Sequence, residues 1–462
     1  MTFDNKKAIL LLGCAYFILS IGLSIQFAEE RIAFGDAAYQ LFSILRTKDF
    51  AIQVMRFGAC CTQFFPLAGS WLHLDLKSIM YLYSMSFEIV PFLIFLMLVI
   101  YFNNIRLAVV LLIFKTLITT HTFFWVQSEL LQGIPFLILF LAWLEHKIIS
   151  RFNTADYAIY FTFILTLSFF HPLLIFPFLF CFGYIQLFNN EGYIRKTMYT
   201  TIVLFVLLVI IKTLLIKNTY DRSAISGLKN FITHFPHYWD TPSNRDFIKF
   251  CISEYYLLPL LALLLIIGLV IQKKWQALAY SLLFVGIYFM IIQVSNYNSE
   301  SFHFRIESFY TPIVVMLAMV LVYAFFSVAY VNASIALFCI VSICCFGIRV
   351  EKSSTLYTSQ LQWNKDFIQK HEHEKLIVDE KYLPSDFVLL PWTFTYQTWF
   401  ISTVEYGKTV SCLSTNDPHA FDWALSKKEE YLTTWGNFEH KKMNPKYFIF
   451  TDDSIGYKQY QP

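Results

Sequence analysis

Long apolar runs separated by short polar turns fill the first three quarters of the chain, and the pattern changes near residue 350. Runs of membrane-helix character fall at about 8–28, 79–102, 107–125, 134–144, 157–170, 172–188, 198–216, 256–271, 277–294, 311–328 and 333–349. The fourth and fifth are short for a bilayer. Beyond residue 350 the pattern is that of a water-soluble unit. A polar stretch of helical character, Gln360 to Lys370, is followed by the β-rich runs KLIVDE (375–380), DFVLLPW (386–392), KTVSCL (408–413) and PKYFIFTDD (445–453). The prediction is an all-α polytopic membrane domain of about 11 transmembrane helices over 1–349, followed by a small C-terminal α/β domain over 350–462.

Composition agrees with the pattern. The 462 residues are 57% hydrophobic and only 15% charged, against about a quarter charged in soluble domains. Residues 351–462 carry 27 of the 67 Lys, Arg, Asp and Glu side chains, so charge concentrates in the tail. A net charge of +3 is too small to point to nucleic acid. The nine cysteines show no CxxC and no metal-ligand spacing, and most sit inside apolar runs as small hydrophobes. The apolar run from Ala8 to Phe27 behind Lys6-Lys7 reads as a retained first span rather than a signal peptide.

Lys and Arg set the orientation. Lys6-Lys7, Arg106, Lys147, Arg151, Arg195-Lys196 and Lys273-Lys274 fall in loops on one side, whereas the short loops on the other hold only Arg305. That asymmetry predicts a cytoplasmic N-terminus and an extracytoplasmic tail. The long loops, 29–78, 217–255 and 295–310, then lie outside with the tail. The first contains AIQVMRFGACCTQFFPLAGSWLHLDLKSI, with Arg56, Trp71, His73 and Asp75, and reads as helices lying along the membrane surface. The second, with His234, His237, Trp239 and Asp240, reads as a surface helix or lid.

Ionisable groups at membrane depth are costly and mark candidate chemistry. Asp36, Glu88, Lys115, His121, Glu129, His171 and Arg305 are the ones to weigh. Asp36, in FGDAAYQLFSILRTKDF (34–50), fits both a helix N-cap and a carboxylate facing a cavity at the membrane boundary. Glu129, in WVQSELLQGIP, and His171, in FFHPLLIFP, fall on the same outer side. Glu88 and Lys115 read as an interhelical contact. In SFHFRIESFYTP (301–312), Ser301, His303, Arg305 and Glu307 alternate with Phe302, Phe304 and Ile306, which puts the polar set on one face of an extended segment. Were the segment helical, His303 and Glu307 would still share a face. Arg is suited to bidentate contact with phosphate. No GxGxxG or P-loop occurs, so no nucleotide site is expected.

The GDAAY stretch and HFRIESFYTP before a late span resemble the first-loop Asp with a following Tyr, and the Arg/Tyr-Pro segment, of the GT-C superfamily of integral-membrane glycosyltransferases. The resemblance covers most of the chain as topology and about twenty residues as motif. It implies a GT-C-like fold in a bacterial inner membrane with a periplasmic tail domain. The implied activity is transfer of a sugar from a polyprenyl-phosphate-linked donor to a glycan, lipid or protein acceptor in the cell envelope. Asp36 would be the catalytic base, and Arg305, His303, Glu307, Tyr39, Glu129, His171 and Tyr310 would bind substrate, with a divalent cation such as Mg or Mn a possible cofactor. The chain departs from the family in following Asp36 with Ala37 rather than a second acid, and in lacking a WWDYG-like segment. Two other classes share parts of the pattern. A polysaccharide polymerase or O-antigen ligase has similar topology and substrates but relies on a large outer loop with several Arg, where 217–255 offers Arg222 and Arg245. A lipid or solute transporter needs internal repeats and polar residues through several spans; no repeat is found and the titratable groups gather at the outer face, which counts against transport.

Overall fold

A computed structural model describes residues 5–150, 152–188, 192–216, 227–298, 303–326, 329–451 and 454–461. Arg151, Arg222, Ser301 and Phe302 lie outside the described residues. Each of the predicted apolar runs is helical over most of its length, but the helices differ in reach. Seven are long and apolar enough to cross a membrane: Lys6–Gln26, Leu76–Tyr101, Glu129–Ile148, Arg195–Leu215, Trp275–Ser295, His303–Phe325 and Ala333–Lys370. The pair Pro242–Ser253 and Leu257–Ile271, bent by 91°, would make an eighth. Thr154–Ser168 and Ile175–Phe188 are shorter.

The predicted span at 107–125 is the clearest departure. Its helix, Ile105–Thr116, has only 12 residues, and every residue from Leu107 to Ile113 is buried. A helix apolar on all sides is a core element, and this one packs lengthwise on His303–Phe325. It stops at Thr116 because the following backbone finds other partners. Glu307 accepts from the N–H groups of Thr120, His121 and Thr122, at 2.8, 3.1 and 2.9 Å. Arg349 donates to the carbonyls of Thr116 and Thr119. Irregular backbone survives in an apolar interior only when satisfied in this way. Beside it, Lys115 and Glu88 meet at 3.0 Å as expected, and fully buried Arg31 lies 3.8 Å from Glu88 while donating to the carbonyls of Phe123 and Ser84.

The first loop divides its helices between two tasks. On Cys60–Trp71 and the turn before it, Phe57, Phe64 and Trp71 are exposed at heptad spacing, one apolar stripe of the kind that beds into a membrane surface. Asp36–Thr47, expected on the surface as well, instead buries Ala37, Ala38, Leu41, Phe42, Ile44 and Leu45. It packs against Phe394–Tyr406 of the tail, and Phe42 sits among Tyr396, Trp399, Tyr431 and Phe448. First loop and tail thus share one hydrophobic core.

Into the tail runs one helix, Ala329–Lys370, so the expected boundary at 349/350 falls inside a continuous element. The tail holds a parallel sheet of β1 (Lys375–Asp379), β2 (Cys412–Thr415) and β5 (Tyr457–Gln459) in the order β2-β1-β5, and an antiparallel hairpin of β3 (Glu430–Thr433) and β4 (Gly436–Glu439). Two expected strands are not formed among the described residues. In 386–392 the N–H groups of Phe387 and Val388 turn back onto the Pro384 carbonyl, and in 445–453 those of Tyr447 and Phe448 turn onto Asn444, which spends the donors a strand would need.

Candidate functional site

Gly35 begins the site. Its φ of +62° turns the chain from the short helix Ala28–Ala33 into Asp36–Thr47, and a Cβ there would come within 3.2 Å of Trp125. Gly35 therefore holds the cap position, and Asp36 is the first residue of the helix rather than its N-cap. Its carboxyl lies within electrostatic reach of Glu129, Arg56, Arg305 and the Trp125 indole. Burial, reinforced by the charge of Glu129, pushes its pKa up to about 7, against the pull of Arg56, Arg305 and Trp125.

Glu129 opens the helix Glu129–Ser150 and pairs with Arg56 at 2.9 Å, both side chains being buried. This pair is one strand of a polar web that ties the first loop to the start of that helix. Thr62 donates to Gln132 at 2.8 Å, Gln63 to Gln40 at 2.6 Å, and Tyr83 to Gln40 and Gln127 at 3.1 and 3.0 Å.

His171 caps the turn begun by Pro172, its Nδ1 accepting from the Leu173 N–H at 3.2 Å. Burial, with Arg56, Lys212 and Arg305 nearby, holds its pKa well below the usual histidine value. The ring is thus neutral, and the Nδ1 bond leaves its proton on Nε2 as a donor. Lys212 donates to the Ser168 carbonyl at 2.8 Å, and the Arg305 guanidinium lies 5.8 Å from the Phe309 ring centre.

Four of these residues border a cavity of about 410 Å³, whereas Asp36 and Glu129 are not in its lining. Arg56, His171, Lys212 and Arg305 stand in its wall, and the rest is mostly apolar, with Leu173, Phe176, Phe205, Val209, Ile292 and Phe309. The starts of Glu129–Ser150 and His303–Phe325 meet here with the ends of Thr154–Ser168, Gly192–Leu215 and Trp275–Ser295. Antiparallel packing of these helices places the site at one end of the bundle. Chemically, the arrangement suits an amphiphile with an anionic head, beside a carboxyl that changes charge near neutrality.

Of the residues singled out from sequence, Asp36, Glu129, His171 and Arg305 come together. The others do not. The 303–312 stretch is helical rather than extended, so Arg305 and Phe309 face the cavity while His303 and Glu307 lie on another face. Glu307 is fully buried and accepts from three backbone N–H groups, the Thr122 hydroxyl and the Tyr255 hydroxyl (3.0 Å). His303 packs on Phe250 and beside His121, whose Nδ1 lies 3.1 Å from the Tyr357 hydroxyl. Tyr310 is buried against Phe247 and takes a bond from Gln293 at 3.1 Å. Tyr39 turns toward the tail, against Trp392, Tyr396 and Trp435. Sequence reasoning assigned no role to Arg56, Trp125 or Lys212. Lys212 carried a usable signal, a lone cation inside an apolar run; the other two carried none.

A divalent metal does not fit the donor set. Glu129 is engaged by Arg56, and among the described residues no three His, Cys, Asp or Glu side chains stand close enough to hold an ion. Compared with protein-family models, curated proteins and solved structures, the chain finds no match.

Proposed function

We propose that the protein is a GT-C-like membrane glycosyltransferase that moves a hexosyl or pentosyl group from a polyprenyl-phosphate carrier to an acceptor hydroxyl at the periplasmic face of a bacterial inner membrane. The observation that carries this reading is a buried carboxyl, Asp36, that feels the charge of Arg305, while Arg305 itself borders a mostly apolar cavity with further cations in its wall. The prenyl chain occupies the apolar part, and Arg305, Lys212 and the His171 Nε2–H take the phosphate oxygens. As the acceptor oxygen bonds the anomeric carbon, its proton passes to the Asp36 carboxylate. The bond from that carbon to the phosphate oxygen breaks, and the electron pair leaves with polyprenyl phosphate. The phosphate gains one negative charge, and fixed cations lower the barrier by meeting it where it develops. A base with pKa near 7 is matched to neutral pH, and general-base catalysis of this kind contributes roughly 10²- to 10⁴-fold.

The topology that goes with this reading has eleven membrane-embedded helices, short ones included, with the N-terminus cytoplasmic and residues 350–462 outside. The Lys/Arg asymmetry between the loops supports it. A second reading, an O-antigen-ligase-like enzyme using a polyprenyl diphosphate carrier, is favoured by one observation: more than one cation, Lys212 and Arg305, stands in the cavity wall, as two phosphoryl groups would need.

The test is reconstituted full-length protein supplied with polyprenyl-phosphate hexoses and pentoses. Release of polyprenyl phosphate is expected from wild type and not from Asp36→Asn. Wild-type turnover by Asp36→Asn would remove the base assignment. Competition by undecaprenyl monophosphate against undecaprenyl diphosphate separates the two readings.

A further inference from the structure

On the tail side of Asp36, one helical turn along from the carboxyl, the molecule builds a platform of aromatic rings. Tyr39 stands three residues after Asp36 and so neighbours it on the helix surface, with about 5–6 Å between Cβ atoms. Around Tyr39 the tail places Trp435 at 4.8 Å, Tyr396 at 5.1 Å and Trp392 at 6.4 Å between ring centres. Trp392 and Trp435 are 4.9 Å apart. Tyr396 is buried and backs Trp435 at 6.0 Å with only 25° between the planes, whereas Trp435 itself is 55% exposed. The indole is therefore propped by neighbouring rings while more than half of its surface is open to water.

The hairpin is shaped to hold that indole out. Trp435 sits in the two-residue turn between β3 and β4, where its N–H donates to the Thr433 hydroxyl at 3.3 Å and that hydroxyl donates to the Gly436 carbonyl at 2.9 Å. Leu390, two residues before Trp392, lies close to Gly35, so this part of the tail reaches the start of the catalytic helix.

We propose that this platform binds a saccharide and that, in the transferase reading on which the proposal rests, the saccharide is the acceptor. A sugar ring presents a patch of C–H groups with partial positive charge on one face and hydroxyls around its edge. The aromatic π face is negative, so the two are complementary without expelling the hydroxyls from water. An exposed, backed Trp with Tyr39 edge-on beside it suits that shape. The donor then enters from the apolar cavity and the acceptor from the aqueous tail side, and the two meet at Asp36.

The test uses the full-length protein in nanodiscs with no donor present. Maltohexaose, cellohexaose, chitohexaose and mannohexaose are titrated by tryptophan fluorescence and by saturation-transfer NMR. At least one is expected to bind wild type. Trp435→Ala should weaken binding about tenfold, the scale of one aromatic contact, and Trp435→Phe should recover part of it. An unchanged thermal midpoint for Trp435→Phe keeps a folding defect out of the comparison. Absence of binding for all four sugars, or Trp435→Ala binding as well as wild type, overturns the platform. Because no transfer is measured, loss of the transferase reading would leave this result standing, and the reverse also holds.

Discussion

Two faces of the helix His303–Phe325 carry charge, and they differ in how that charge is met. On one, Glu307 is fully buried and receives bonds from Thr120, His121, Thr122 and Tyr255, so its acceptors are spent inside the protein. On the other, Arg305 borders a cavity of about 410 Å³ in company with Arg56, His171 and Lys212, across from a carboxyl whose proton is held to about pH 7. A buried charge saturated with donors stabilises a fold; cations bordering an open, mostly apolar cavity can meet a ligand of opposite charge. The first arrangement is architecture and the second is a site, though both began as residues of one motif.

Removing Glu307 should break the comparison most severely. Glu307→Ala leaves three buried N–H groups unsatisfied and frees the 117–128 turn from its anchor, at a cost of about 3–5 kcal/mol. The expected outcome is loss of monodisperse protein, or a fall of many degrees in thermal midpoint, read by detergent-based unfolding; a near-normal midpoint would demote Glu307 to an incidental contact. On the opposite face the damage should be to binding alone. Arg305→Ala should weaken polyprenyl-phosphate affinity about ten- to a hundredfold, corresponding to roughly 1.5–3 kcal/mol for a charge-assisted contact, with the thermal midpoint scarcely moved. Arg305→Lys keeps the charge but not the planar fork and should fall between. Equal donor affinity in all three proteins would show that Arg305 faces the cavity without serving it.

Asp36 sharpens the contrast through pH. The folded protein keeps this proton up to about pH 7, whereas an unfolded chain releases it near pH 4. Its contribution to stability is therefore greatest below about pH 4 and is lost as pH rises through about 7. Asp36→Asn cannot ionise, so its midpoint should gain on wild type by roughly 2–3 kcal/mol equivalent between pH 5 and pH 8. A constant gap would mean that the carboxyl ionises normally. In wild type, the transfer rate should climb through the same interval as the base forms. The mildest change is Thr122→Val, which removes a hydroxyl bond to Glu307 but leaves the three N–H bonds. A loss of about 1 kcal/mol is expected, with donor affinity unchanged.

What could be read from the chain followed from local pattern. Apolar runs must become helices in a low-dielectric setting, because each backbone group then finds its partner within the segment. The shift in charge at 350 marks a soluble unit for a similarly local reason. Asp36, Glu129, His171 and Arg305 were legible as costly ions at one end of those helices. The assignment failed where sequence neighbours were taken for spatial ones: His303, Arg305 and Glu307 alternate in the chain, but a helix sends Arg305 and Glu307 to different faces.

By itself, the sequence determined the helical segments, their alternation, the charge-rich tail and the set of ions that had to be explained. Only the tertiary structure decided which ions face each other, that Ile105–Thr116 is a short helix enclosed by its neighbours, and that Asp36–Thr47 belongs to the tail's core. Helix formation is settled by periodicity within a few turns. Pairing of Glu307 with Thr120, or of Tyr39 with Trp435, joins residues hundreds of positions apart, and such contacts leave no periodic trace in the chain.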